Sequence, residues 1–253
     1  MTASGGKTKV KAESCLSVVI PAYNEESTLA NVVGEVLKLP HVLEVIVVDD
    51  GSTDGTRQVC EELGRVPKVR IVHMPRNQGK CAALKAGFAL STGEIVIVQD
   101  ADLEYDPNEI PDVIQPILDG RADVVYGSRF LVRRSARVLY FYHYLANKSL
   151  TLFSNLLTNV NFTDVETGYK AFRGEIIRNM RITSKGFGIE IELTAKIAKL
   201  GCAIYEVPIS YYGRTYEQGK KIGLSDGLMA LWYIVKFNVF CSLKSSYTKL
   251  PEI

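Results

Sequence analysis

Short apolar segments alternate with helix-like stretches through the first half of the chain. The apolar segments are rich in Val and Ile at nearly every position, which indicates strands buried on both faces of a parallel sheet. They span residues 16–20, 42–48, 69–73, 94–99 and 122–127. The helix-like stretches between them span residues 25–39, 54–63, 79–90 and 107–119. This alternation predicts an α/β fold with a mostly parallel central sheet.

The pattern changes after Gly127. We predict an aromatic-rich helix at 136–157, a helix at 188–200, a strand at 203–211 and an apolar helix at 228–243. The unbroken apolar run of the last helix covers only residues 228–235 and then meets Lys236. About 20 mostly apolar residues are needed to cross a bilayer. We therefore predict no transmembrane span.

Composition limits the class of protein. The chain has 253 residues, 47% of them hydrophobic and 23% charged, which is typical of a folded globular domain. The net charge is only +2 and no nucleic-acid-binding motif is present, so we expect no nucleic-acid partner. Five scattered cysteines without a CxxC pair indicate a reduced, cytoplasmic protein. Residues 1–14 are polar, which predicts a flexible tail and no signal peptide.

Polar clusters follow four of the predicted strands. They are PAYNE at 21–25, DDGSTDGT at 49–56, DADLE at 100–104 and GSR at 127–129. Ligands of open parallel sheets bind beyond the carboxyl ends of the strands. We therefore expect the four clusters to converge on one edge of the sheet and to form the active site there.

Asp100 and Asp102 suggest a metal site. In extended backbone, residues two apart point to the same side, and Glu104 is the next in that alternation. Carboxylate oxygens attract a hard divalent cation, which commonly bridges phosphates. The alternative is that Asp-x-Asp at a strand end provides only turn and cap hydrogen bonds.

The clusters after the first two strands suit a nucleotide. Tyr23 can stack on a base, and an acidic residue within 49–56 can accept hydrogen bonds from a base or ribose. The alternative for 49–56 is a tight turn in which Ser52 or Asp54 caps the next helix. Glu25 can equally serve only to favour the positive end of its helix.

The second half adds basic and acidic candidates. Arg214 and Lys220 can clamp a diphosphate or an acceptor phosphate, or belong to a solvated basic loop. Glu190 and Glu192 lie two apart on a predicted helix and cannot share a face. We expect at most one of these glutamates to face the site and the other to lie at the surface.

Basic residues flank the aromatic and apolar helices of the second half, as in Arg133, Arg134 and Lys221. Such flanking is typical of contact with an anionic membrane surface, although the same helices would serve equally well in a core. Other site classes are excluded. Gly79-Lys80 lacks the remaining residues of a phosphate loop, and neither GxGxxG after the first strand nor GxSxG is present.

Seven stretches, taken in order, resemble family 2 glycosyltransferases with the GT-A fold. They are VVIPAYNEE (18–26), VIVVDDGSTDGT (45–56), NQGKCAALKAGF (77–88), QDADLEYDP (99–107), GSRF (127–130), TDVETGYKAFR (163–173) and YYGRTYEQGKK (211–221). The resemblance is nearest to the dolichol-phosphate mannose synthase-like, or polyprenyl-phosphate glycosyltransferase, branch. It implies a Rossmann-like GT-A domain at 15–225, followed by an amphipathic C-terminal helix and tail at 226–253.

The resemblance also implies roles for individual residues. A nucleotide-sugar donor would be bound by Pro21, Tyr23, Glu25, Asp49, Asp50, Lys80, Asp100, Ala101, Asp102, Arg129, Arg214 and Lys220. A cofactor, Mg²⁺ or Mn²⁺, would be bound by Asp100, Asp102 and Glu104, a position where the family often has Gln. The catalytic residues would be Asp102, Arg129, Arg214 and Glu192.

The predicted reaction is inverting, metal-dependent transfer of a hexose from GDP-mannose or UDP-glucose to a polyprenyl phosphate. One alternative is transfer to a hydroxyl of a soluble saccharide or metabolite, which needs a carboxylate base from Glu190, Glu192 or Asp164. A nucleotidyltransferase is a second alternative, and a binding module without catalysis a third. Peripheral contact with the cytoplasmic face of a membrane and a homodimer are both left open.

Overall fold

The structure is a computed structural model that describes residues 13–131, 138, 140–213 and 224–252. Its strands are β1 (Leu16–Ala22), β2 (Val42–Asp49), β3 (Val69–His73), β4 (Ile95–Val98), β5 (Val124–Ser128), β6 (Lys170–Arg173) and β7 (Ile204–Pro208). Its helices are α1 (Leu29–Leu37), α2 (Thr56–Leu63), α3 (Lys80–Leu90), α4 (Ile110–Leu118), α5 (Phe141–Thr158), α6 (Gly174–Asn179), α7 (Ile189–Leu200), α8 (Leu224–Val239) and α9 (Leu243–Ser246).

The strands of the described residues form one seven-stranded sheet in the order β3-β2-β1-β4-β6-β5-β7. Every strand except β6 runs in the same direction, because β6 is antiparallel to both of its neighbours. The predicted α/β fold with a mostly parallel sheet is therefore confirmed. The sequence pattern missed β6, because its four residues are too few to show a period.

Helices cover both faces of the sheet, which explains why the predicted strands are apolar at nearly every position. In β1, Val18 and Ile20 pack with Leu29 of α1 on one face. Val19, between them, packs with Phe88 of α3 on the other face. Alternating side chains of one strand thus enter two separate cores.

The strand order reverses at β1. From β1 the chain proceeds outward through β2 to β3, and it then returns to place β4 on the other side of β1. Such a reversal leaves a crevice at the carboxyl ends of the two central strands, where ligands of open α/β sheets bind. The loops that follow β1 and β4 border this crevice.

Several predicted boundaries shift in the structure. Helix α1 begins at Leu29, because residues 25–28 form a turn in which the Leu29 N–H bonds to the Glu25 carbonyl. The strand predicted at 203–211 ends at Pro208, and the apolar helix ends at Val239. A separate short helix, α9, then begins after the side-chain cap of Ser242.

The helices α5 and α8 pack against each other and against α7. Their outward sides expose large apolar side chains, among them Phe141, Tyr142, Leu145, Leu152, Leu156, Leu228 and Trp232. Within the part of the chain that the structure describes, no helix combines the length and the apolar character needed to cross a membrane.

Candidate active site

A cavity of about 650 Å³ opens beyond the carboxyl ends of the sheet strands. Side chains from all four predicted polar clusters line it: Pro21, Tyr23, Glu25, Asp50, Asp100, Ala101, Asp102, Glu104 and Arg129. Lys80, at the start of α3, lines it as well. Asp49 and Glu192 are not among the lining residues, and Arg214 and Lys220 lie outside the described residues.

The neighbours Asp49 and Asp50 have different tasks. Asp49 is buried, accepts the Ser52 N–H at 2.9 Å and lies 2.9 Å from Nδ1 of His73, so it ties the end of β2 to β3. Burial alone would raise the pKa of Asp49, but these hydrogen bonds outweigh it and the pKa is lowered. Asp49 therefore lies in the wall behind the cavity and not on its surface.

Asp50 holds the loop that leads into α3. Its two carboxylate oxygens accept the backbone N–H groups of Gln78 and Gly79, at 2.9 and 2.7 Å. Gly79 has a φ of +87°, a backbone conformation that glycine adopts readily. Because the next residue is Lys80, this loop places the lysine at the cavity.

Lys80 is paired with the first acidic residue after β4. Its Nζ lies 2.7 Å from Oδ1 of Asp100 and 3.7 Å from Oε1 of Glu190. Burial would lower the pKa of Lys80, but the charges of these two carboxylates outweigh it and raise the pKa. The ammonium therefore keeps its charge within the cavity.

The lack of a side chain at Gly168 leaves space for the ion pair between Lys80 and Asp100. A Cβ atom at that position would lie 2.7 Å from Oδ2 of Asp100 and 3.2 Å from Nζ of Lys80. Any larger residue would push the carboxylate away from its place. Gly168 lies within the stretch 163–173 that resembles the family, but its residue type alone predicts no role at the site.

The segment after β4 is a turn and not extended backbone, so the alternation argument for Asp100, Asp102 and Glu104 is wrong. Leu103 has a φ of +61°, and Asp102 Oδ1 accepts the Glu104 N–H at 3.1 Å. The three acidic residues nevertheless line the same cavity. Glu104 Oε2 accepts a hydrogen bond of 2.8 Å from the hydroxyl of Tyr211.

The acidic residues fit a divalent cation in part. Asp100 and Asp102 supply the hard oxygen ligands that Mg²⁺ and Mn²⁺ prefer. Among the described residues, however, no group of three or more His, Cys, Asp or Glu side chains is arranged as a metal site. Asp100 and Asp102 are the residues that would hold such a cation, and they would supply only part of its ligands.

Arg129 is fixed by Asp164. Its Nε and Nη2 each lie 2.7 Å from a carboxylate oxygen of Asp164, which is fully buried. The guanidinium also lies 5.2 Å from the ring centre of Tyr211. Asp164, one of the base candidates, thus serves to orient an arginine at the cavity wall.

Only one of Glu190 and Glu192 lines the cavity, as their spacing predicts, but the expectation that the other lies at the surface is wrong. Glu190 lines the cavity, whereas Glu192 is fully buried and not at the surface. Glu192 accepts the N–H groups of Thr183 and Ser184 and pairs with Lys196 at 2.5 Å. These bonds tie the start of α7 to the segment before it.

Three further lining residues received no role from the sequence. Glu166 lies in the loop before β6, the strand that the pattern missed. His143 and Asn147 of α5 also line the cavity. Their spacing of four places both polar side chains on one face of an otherwise aromatic helix, which is a signal that was available.

Comparison with known proteins identifies the family of this chain. The family model for glycosyl transferase family 2 matches residues 17–181. Polyprenol monophosphomannose synthase of Mycolicibacterium smegmatis is 32% identical over 214 residues, covering 81% of this chain and 80% of that protein. Undecaprenyl-phosphate mannosyltransferase of Micrococcus luteus is 31% identical over 212 residues, covering 81% of this chain and 86% of that protein.

A solved structure shares the fold. Glucosyl-3-phosphoglycerate synthase from Mycobacterium tuberculosis, in complex with Mn²⁺, uridine diphosphate and phosphoglyceric acid, superposes with a TM-score of 0.68 at 24% identity. The superposition covers 89% of this chain and 79% of that chain and confirms the predicted GT-A fold. Fold, family match and relatives agree that this protein is a glycosyltransferase and belongs to glycosyl transferase family 2.

Proposed function

We propose that the enzyme transfers a hexose from a nucleotide-sugar, GDP-mannose or UDP-glucose, to a polyprenyl phosphate, with inversion at the anomeric carbon. The observation that carries the proposal is one cavity that joins two acidic residues after β4, two fixed cations and a helix with an exposed apolar side. The names of the two relatives above point to the same class of lipid-linked acceptor.

The donor nucleotide would lie between the loops after β1 and β2. Tyr23 is 43% exposed and lines the cavity, so its ring is available for stacking on a base. Beyond the nucleoside, the diphosphate would meet Lys80 and Arg129. Both cations are already held by carboxylates, Lys80 by Asp100 and Arg129 by Asp164.

Charge explains the catalysis. Breaking the bond between the anomeric carbon and the diphosphate leaves negative charge on the departing phosphate. Lys80 and Arg129 would stabilise that charge without reorganising, because their salt bridges orient them in advance. Asp100 and Asp102 would hold Mg²⁺ or Mn²⁺, which supplies further charge neutralisation to the leaving group when bound.

The acceptor side of the cavity suits an anionic lipid. A phosphate needs little help from a general base, which agrees with the engagement of Asp164 and Glu192 by other groups. Helix α5 contributes His143 and Asn147 to the cavity and exposes Tyr142 to solvent. A head group in the cavity would thus leave the hydrocarbon chain beside an apolar helix side at a membrane surface.

A transfer assay tests this proposal. The purified protein is incubated with labelled GDP-mannose or UDP-glucose, Mn²⁺ or Mg²⁺, and either undecaprenyl phosphate in detergent or soluble 3-phosphoglycerate. We expect label to enter the lipid fraction with inverted anomeric configuration, and EDTA to abolish this transfer. Label in the soluble acceptor alone, or no transfer from either donor, would overturn the proposal.

A further inference from the structure

The cavity contains an acidic pair that the mechanism above does not use. Glu166, from the loop before β6, and Glu190, from the first turn of α7, both line the cavity. Each has one buried carboxylate oxygen, Oε1 of Glu166 and Oε2 of Glu190, without a hydrogen-bond partner among the described residues. Glu190 is only 7% exposed. Buried polar atoms of this kind generally require a partner, and a ligand in the cavity would supply one.

The neighbouring lysines do not satisfy these oxygens. Lys80 is closer to Asp100, at 2.7 Å, than to Glu190, at 3.7 Å. Lys170 donates to the backbone carbonyls of Val165 and Thr167, and so holds the loop that carries Glu166. Both side chains line the cavity, and each therefore keeps one carboxylate oxygen with unused hydrogen-bonding capacity among the described residues.

The charge state of the pair favours a hydroxyl-bearing ligand. Burial, followed by the charge of Glu190, raises the pKa of Glu166. The other charged groups acting on Glu166 are Lys170 on β6, Arg129 after β5 and Asp164 in the preceding loop. The raised pKa keeps the protonated form of Glu166 populated near neutral pH, and a protonated carboxyl group offers both a donor and an acceptor, as each sugar hydroxyl does.

We propose that Glu166 and Glu190 form the pocket for the transferred hexose and hold its hydroxyl groups by hydrogen bonds. This assignment rests on the proposed function. The hexose is bonded directly to the diphosphate, so its pocket must adjoin the residues that bind the phosphates. Lys80 contacts both Asp100 and Glu190 and therefore places the two sites side by side.

Calorimetric titration separates sugar binding from nucleotide binding. GDP, GDP-mannose, UDP and UDP-glucose are titrated with Mn²⁺ into the wild type, Glu190→Ala and Glu190→Gln, with Glu62→Gln as an exposed control outside the cavity. We expect both Glu190 variants to bind the nucleotide-sugar at least about tenfold more weakly, since a hydrogen bond to a charged group is lost. Binding of the free nucleoside diphosphate should change by less than about twofold.

Glu166→Gln provides a second readout. An amide imitates the protonated acid and cannot ionise, whereas the wild-type acid loses its proton as the pH rises. The nucleotide-sugar affinity of the wild type should therefore decline between pH 6 and 8.5, and that of Glu166→Gln should show a flatter profile. The matching profile of the free diphosphate corrects for titration of the phosphates.

The outcomes distinguish the two proposals. If the Glu190 variants bind nucleotide-sugar and free diphosphate with equally reduced affinity, or with unchanged affinity, the hexose pocket is overturned. A wild type that binds neither nucleotide-sugar overturns the proposed function itself. Thermal unfolding of each variant identifies any that fails to fold, and Glu190→Gln is the conservative substitute for Glu190→Ala.

Discussion

Most charged side chains in the cavity are held by other residues of the chain. Lys80 is held by Asp100, Arg129 by Asp164, and the loop before α3 by Asp50. Such contacts reduce the reorganisation needed when charge develops during a reaction. At the scale of single residues, the site therefore depends on paired groups more than on isolated ones.

Asp102→Asn tests the acidic cluster. Asparagine keeps the side-chain oxygen that accepts the Glu104 N–H, so the turn should persist, but the charge that binds a cation is lost. We expect turnover to fall by at least about 100-fold, with the unfolding temperature nearly unchanged. A glycosyl-transfer assay beside thermal unfolding measures both. An active variant would show that Asp102 is dispensable.

Gly168→Ala tests the space around Asp100. The added Cβ would lie 2.7 Å from Oδ2 of Asp100 and displace that carboxylate from Lys80. We expect about tenfold weaker Mn²⁺-dependent binding of nucleoside diphosphate, measured by calorimetry. Gly34→Ala is the matched control, because nothing lies within 4 Å of its Cβ. Equal affinities of the two variants would contradict the prediction.

At the scale of elements, α7 combines two tasks. Its first turn presents Glu190 to the cavity, and Glu192, two residues later, forms a buried ion pair with Lys196. The Lys196 ammonium also lies 5.4 Å from the ring centre of Phe237 on α8. The helix that lines the site is thus held in place by charged side chains that are not among the residues lining the cavity.

Glu192→Gln should therefore destabilise the fold without removing the site. Lys196 would be left buried without its counter-charge, a loss of about 3 kcal/mol in the free energy of unfolding. The unfolding temperature should fall by roughly 6 °C or more. Nucleoside diphosphate affinity, measured on the folded protein, should match the wild type. A stable variant that binds the nucleoside diphosphate more weakly would instead show that Glu192 contributes to ligand binding.

The outer side of α5 is the element that we expect to contact membranes. Leu145, Leu152 and Leu156 follow helical spacing, and the last two are 62% and 70% exposed. Leu152→Ser with Leu156→Ser should reduce sedimentation with phosphatidylglycerol vesicles by at least about fivefold. Val66→Ser, another exposed apolar position, is the control. Unchanged sedimentation of the double variant would show that this side of the helix does not contact the membrane.

At the scale of the whole molecule, the raised pKa of Glu166 links stability to pH. Burial raises this pKa from 4.5 to about 7. A raised acid pKa means that the folded state binds the proton more tightly than the unfolded state does. The stabilisation is complete below the unfolded value of 4.5 and is lost as the pH rises through about 7.

Glu166→Gln tests this contribution. Burial lowers the pKa of Lys170 and the charge of Glu166 raises it, so the substitution lowers the pKa of Lys170 further and adds to the difference in the same direction. The wild type should lose stability relative to Glu166→Gln between pH 5 and 8, as measured by thermal unfolding across that range. Parallel curves for the two proteins would contradict the assigned pKa direction.

Local patterns of residues were enough to predict the layered α/β fold, the parallel strands and the polar clusters at their ends. Apolar runs of five to seven residues indicate burial on both faces, and in a parallel sheet the ends of such strands meet at one edge. Pro21, Asp50, Asp100 and Arg129 could therefore be placed at one site before any coordinates were known.

Remote contacts determined which of these polar groups are available to a ligand. Asp50 finds its backbone partner Gln78 28 residues away, and Arg129 finds Asp164 35 residues away. No periodicity along the chain encodes such pairs, since they depend on where loops meet after folding. The burial of Glu192, the exposure of Glu190 to the cavity and the short strand β6 became known only once those distant segments were brought together.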